Sequence, residues 1–202
     1  MGGRAGGGAG AGAGGGRDAF YDHPLGRQML EKALNFTLST PAFSYQIKDP
    51  QVKAELEAAV KQYAKEVGFS TGMYVQLGTL PKGKYAMVQG DTITLSKAIY
   101  GRKYQTAKAY FDERIAKGWT TATGKPVAKT LVHEFAHRTY HGLSASGKAQ
   151  VAAAYKSFMG SKSKKGWGIY AGKSAEEFYA DGMAKHLLGK SDKWTKAIKN
   201  AK

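Results

Sequence analysis

Cysteine is absent from the 202 residues, and no apolar run approaches the eighteen or so that a bilayer-spanning helix needs. The first absence excludes a disulfide scaffold without assigning a compartment. The second predicts a soluble chain, for which synthesis in the cytoplasm is the default expectation. Acidic residues are scarce, 15 against 31 lysines and arginines, for a net charge of +16. There is no internal repeat. Residues 1–17, MGGRAGGGAGAGAGGGR, contain no hydrophobic stretch of the kind a signal peptide carries. They read as a flexible Gly/Ala-rich leader: a natural tether, the scar of cutting from a larger polypeptide, or a spacer. The expected division is a leader over residues 1–22 and one domain over residues 23–202, with hydrophobic residues at 42% of the chain, enough to build a core.

Periodicity predicts a mostly helical domain with a small sheet, an α+β class. Leu25, Met29, Leu30, Ala33, Leu34 and Leu38 recur at helical spacing between Pro24 and Pro41. A second helix is expected from Pro50 to Val67. Three short β-prone runs follow, Met73–Leu77, Tyr85–Val88 and Thr92–Leu95, with Gly90-Asp91 favouring a tight hairpin between the last two. The third run alternates polar and apolar residues, as a strand with one exposed face does, and an exposed edge strand beside the helix expected over residues 126–141 suits an extended peptide. Helix is expected from Ser96 to Trp119, then a polar loop to Lys125, a helix over residues 126–141 closed by Gly142, another over residues 144–158, and a basic Gly-rich loop over residues 160–168.

Within the helix at 126–141 lies His133-Glu134-Phe135-Ala136-His137. Histidines four apart project from one helical face and can grip one Zn²⁺ through neutral imidazole nitrogens, with Glu134 beside the ion as general base. Val127, Leu131, Val132, Phe135 and Ala136 form an apolar face behind them. Two histidines on an ordinary amphipathic helix are the plain alternative. A catalytic zinc needs a third protein ligand on a separate element, and the segment Ser174-Ala-Glu-Glu-Phe-Tyr-Ala-Asp181 offers carboxylates. Glu177 and Asp181 share a helical face, so one can bind metal while the other receives an imidazole N–H. Glu176 competes for the ligand role but sits about 100° around the helix. Glu177 is also the last residue of a capping-box pattern opened by Ser174. His141 continues the spacing, but three turns of one straight helix cannot place three nitrogens tetrahedrally around an ion. His23 and His186 have no partner in sequence.

HEFAH followed some forty residues later by IYAGKSAEEFYAD, with a tyrosine seven positions before a glutamate, resembles the Glu-liganded zincin metallopeptidases, the group of the anthrax lethal factor catalytic domain and the bacterial Pro-Pro endopeptidases. The resemblance covers roughly residues 92–189. It implies a zincin-like fold in which the active-site helix packs a small mixed sheet. It further implies a peptide or protein substrate, His133, His137 and Glu177 as zinc ligands, Glu134 as the base and Tyr170 as donor to the developing oxyanion. A loop aromatic packed beside Trp167 is the other reading of Tyr170. Asp181 stands where that pattern has glutamate. Tyr140 and Leu143 occupy the positions where the His-rich metzincins need Gly and a third His, which excludes that subfamily. Phe135 and Phe178 are expected to keep the site dry.

The charge is uneven: from Lys97 onward there are 21 basic and 7 acidic residues, and Glu134, Glu177 and Asp181 are three of those seven. A Lys-rich solubilising surface accounts for such a balance, as does attraction to an anionic partner, an acidic protein or non-specifically bound nucleic acid. The alternative to a peptidase is therefore a basic binding or structural module, associated with a phage virion or a toxin and carried by a larger polypeptide, that retains a metal site without significant activity.

Overall fold

Prolines and side-chain caps set most helix starts among the described residues, and the observed boundaries follow them. The structure, a computed structural model, describes residues 23–68 and 71–201; the expected leader, residues 1–22, lies outside the described residues. Helix α1 spans Pro24–Ser39 and α2 Pro50–Val67, each with proline in the first turn, where a missing N–H forfeits no helical bond. Nothing in the periodicity anticipates the single π-helical turn Ala42–Gln46 between them, which buries Ala42 and Phe43.

Strands β1 (Tyr74–Gly78), β2 (Ala86–Gln89) and β3 (Thr92–Ser96) form one sheet in the order β1-β3-β2, with β1 parallel and β2 antiparallel to β3. Gln89 faces Thr92 across a two-residue loop, and Gly90 at φ 59° adopts the left-handed backbone that such a turn needs. The alternating run Thr92–Ser96 is thus the central strand. The strand that flanks the histidine helix as a free edge is β2.

The helix expected over Ser96–Trp119 is broken into α3 (Lys97–Tyr100) and α4 (Tyr104–Ala116). Asp49 explains the restart. Its Oδ1 accepts from the N–H groups of Gln51 (2.9 Å) and Val52 (3.0 Å), while Oδ2 accepts from the Tyr104 N–H at 3.0 Å, so one carboxylate caps both α2 and α4. The Val52 N–H foremost, and then the Tyr104 N–H, hold the Asp49 carboxyl below its ordinary range against the effect of burial. This contribution is complete above the ordinary aspartate range and is lost as pH falls through the depressed value. Asp49→Ala is expected to cost about 1–2 kcal/mol at neutral pH, read as a lower denaturant midpoint at unchanged slope, and less in acid.

Helix α5 (Pro126–His141) is central. It packs on α7 (Ala175–Leu188) along one side, on α2 and α4 along another, and on β2 and β3. Lys125 supplies no side-chain cap to α5. Glu55 of α2 supplies it instead, its Oε1 accepting from the Ala128 N–H at 2.9 Å. Helix α6 (Ala145–Met159), with Ser144 as cap, and α8 (Lys193–Lys199) close the far side of α7. The C-terminal lysine-rich stretch is not only a charged surface, since Trp194, Thr195 and Ile198 of α8 are buried. Phe158, Trp167 and Phe178 form the core there, with ring centroids 4.9–5.3 Å apart. The described residues are α+β and mostly helical, and no helix among them is long and apolar enough to cross a membrane.

Candidate metal centre

Helical spacing alone brings His133 and His137 together, their Nε2 atoms 3.0 Å apart and their rings at 81°. The third member comes from α7. Ser174 caps that helix through the Glu177 N–H (3.1 Å), but the capping box is not completed: the Glu177 carboxylate turns toward α5. Its Oε2 lies 3.1 Å from His133 Nε2 and 3.7 Å from His137 Nε2. Ligand atoms at about 2.0–2.1 Å from a tetrahedral ion are roughly 3.3–3.4 Å from one another, so the triangle has the size such an ion requires.

Carboxylates fix the imidazole tautomers. His133 Nδ1 lies 2.9 Å from Asp181 Oδ1, and His137 Nδ1 lies 2.8 Å from Glu176 Oε1. With the proton on Nδ1, each imidazole donates to its carboxylate and turns an Nε2 lone pair inward. Glu177 Oε2 is buried there without an aligned hydrogen-bond donor. In that tautomer three electron-pair donors converge, an arrangement that a cation satisfies. The titration of the cluster points the same way. Burial and the Lys129 charge push His133 down, yet Asp181 and Glu177 win and raise it. Burial pushes Glu177 up, yet His133 and His137 hold it below its usual range. Positive charge is what this triangle favours.

Glu176, which its angular position on α7 directs away from the ligand face, reaches the outer edge of His137 and also lies 3.1 Å from His141 Nε2. His141 is exposed and no part of the triangle. Two residues invisible to motif reading complete the inner wall. Lys129, one turn before His133, is buried with its ammonium paired to Asp181 Oδ1, and Thr121 donates to Asp181 Oδ2 at 2.7 Å. Thr121 is delivered by close backbone approach: Gly168 N–H donates to Thr121 Oγ1 at 3.0 Å, and a Cβ on Gly168 would meet Thr120 at 2.4 Å. The signal for Lys129 was its spacing of four from His133; nothing local marks Thr121.

Comparison of the chain with protein-family profiles, characterised proteins and solved structures finds no match. The site's chemistry therefore carries the functional argument.

A cavity of about 380 Å³ opens onto the triangle. Glu134 lines it, and burial pushes its carboxyl above the usual range against the pull of His133 and His137. Tyr170, on the 3₁₀ turn Ile169–Gly172, lines the cavity and is exposed. Tyr85 lines it too; burial and the neighbouring Tyr110 hydroxyl push its phenol up to about 12, which keeps it a proton donor. Phe135 and Phe178 belong to the core and do not line the cavity. Its apolar wall is Ala86, Met87 and Val88 of β2. His23 and His186 lie elsewhere, on Leu25 N–H (3.3 Å) and Ser191 Oγ (2.9 Å) respectively.

Proposed function

We propose that the chain is a zinc-dependent endopeptidase with a zincin-like active site, held by His133, His137 and Glu177. The observation that carries this is the convergence of two Nε2 atoms and a buried Glu177 carboxylate oxygen, 3.1 and 3.7 Å from them, at a cavity that Glu134 also lines. Two imidazoles and one carboxylate suit zinc, and the cavity side leaves a fourth position for solvent or substrate. Zinc bound there supplies a Lewis acid and lowers the pKa of water toward neutrality.

The chain's own residues do the rest. Asp181 and Glu176 hold the two imidazoles in the tautomer that presents Nε2. Glu134 takes the proton of the attacking water and passes it to the leaving amine. Tyr170 donates to the carbonyl oxygen as negative charge develops, and Tyr85 is a second phenol in the same cavity. The free edge of β2 lines the cavity and can pair with an extended substrate.

The test is zinc content together with cleavage of a random peptide library. Purified chain is expected to hold about one zinc and to cut peptides, with both properties removed by chelation, restored by added zinc, and missing from His137→Ala and Glu177→Ala. A chain that takes up no zinc on refolding with the ion overturns the proposal. Zinc retained by Glu177→Ala transfers the third ligand to another carboxylate, with Glu176 first in line.

A further inference from the structure

The cavity has a cationic wall that metal chemistry does not use. Arg114 of α4 lines it, with its guanidinium carbon 5.0 Å from the ring centroids of Tyr110 and Trp119 and 5.9 Å from that of Tyr85. These three rings fix the position of the guanidinium plane, at a site where a long side chain would otherwise keep its rotamer freedom. One bond leaves it, from Nη2 to the Tyr110 hydroxyl at 3.2 Å. Nε is buried and has no hydrogen-bond partner. Among the described residues no carboxylate forms an ion pair with Arg114: the adjacent Glu113 is paired with Lys117 at 2.5 Å. The carboxylates of the same cavity, Glu134, Glu176 and Glu177, stand at the histidines. Lys84 also lines the cavity.

A guanidinium that is held by aromatic faces, carries spare donors and lacks an acidic partner is built to receive a planar anion. We propose that Arg114 is the specificity anchor of this cavity, binding a carboxylate of the bound peptide. That carboxylate is an acidic side chain or the peptide's own C-terminus. A strongly basic chain already attracts such ligands from a distance. The nature of the ligand as a peptide rests on the peptidase proposal, while the anchor itself does not require cleavage.

The probe is an acetylated, amidated alanine-glycine octapeptide in which one glutamate is walked through every position, with matching glutamine peptides and the same parent bearing a free C-terminus. Affinities are measured by calorimetry on zinc-loaded Glu134→Gln protein, so that no peptide is consumed. At one or two adjacent positions, glutamate is expected to bind at least about tenfold tighter than glutamine, and adding Arg114→Gln is expected to bring the two within about twofold. Arg114→Lys, which keeps charge and bulk but not the planar fork, is expected to retain only part of the preference. If the non-amidated parent instead shows the Arg114-dependent gain, the anchored group is the C-terminus. Equal binding of all peptides, or a preference that survives both Arg114 substitutions in folded protein, overturns the proposal. An Arg114-dependent preference together with no cleavage by the wild-type chain upholds the anchor and sinks the peptidase instead.

Discussion

Glu134→Gln is expected to keep its zinc and lose about 10²–10⁴ of kcat, the range that a positioned general base supplies. Glutamine preserves the length and bulk of a half-buried side chain, and Glu134 is not one of the three converging residues, so neither folding nor metal content should change. What the substitution removes is a carboxylate whose affinity for protons burial has raised. The decisive comparison is kcat against zinc stoichiometry on one preparation. Unchanged turnover with zinc retained removes Glu134 from the mechanism. Simultaneous loss of both makes it a contributor to the metal site.

Lys129→Met is expected to be the most destabilising single change in the inner wall, by about 3–5 kcal/mol, because it leaves a buried charge without its counter-ion. Asp181 has no exposed surface, and its partners are Lys129, Thr121 and His133. Burial pushes its carboxyl up, but the Lys129 charge and the His133 hydrogen bond prevail and hold it well below the usual range. A depressed carboxylate contributes stability that is present above the ordinary aspartate range and is lost as pH falls through the depressed value. The gap between wild type and Lys129→Met is therefore widest near neutrality and narrows on acidification. Zinc affinity should hold or rise in this variant, since the Lys129 charge opposes positive charge at His133. Asp181→Asn, by contrast, is expected to weaken zinc binding about 10–100-fold by loosening the His133 tautomer. The double variant should be less destabilised than the sum of the two, as coupled partners are. Denaturation series at several pH values and competitive zinc titration separate these outcomes. A Lys129→Met protein as stable as wild type would mean that water enters and solvates Asp181.

Features that depend on neighbours within a few residues were readable in the chain. The proline starts of α1, α2 and α5, the apolar face of α5 and the two-residue hairpin at Gly90-Asp91 follow from local sterics and period. The pairing of His133 with His137 belongs with them, because an α-helix places residues four apart on one face whatever surrounds it. The break between α3 and α4 was less visible, since the cap that restarts the chain at Tyr104 belongs to Asp49, 55 positions earlier.

The site's second half depended on how α5 and α7 lie against each other. Glu176, Glu177 and Asp181 are all carboxylates on one short helix, and sequence made each a candidate partner. The resemblance named Glu177 as a ligand, and the packing sets its carboxylate at the open triangle, Asp181 at His133 and Glu176 at His137. Lys129, Thr121 and the aromatic setting of Arg114 likewise come from contacts between separate elements. By itself the sequence determined that two imidazoles would share one helical face with a carboxylate beside it, because backbone hydrogen bonds impose that geometry locally. Tertiary structure decided which charges meet those imidazoles and which cation of the cavity lacks a carboxylate partner among the described residues, because burial makes the energy of a charge depend on partners that the chain brings from far away.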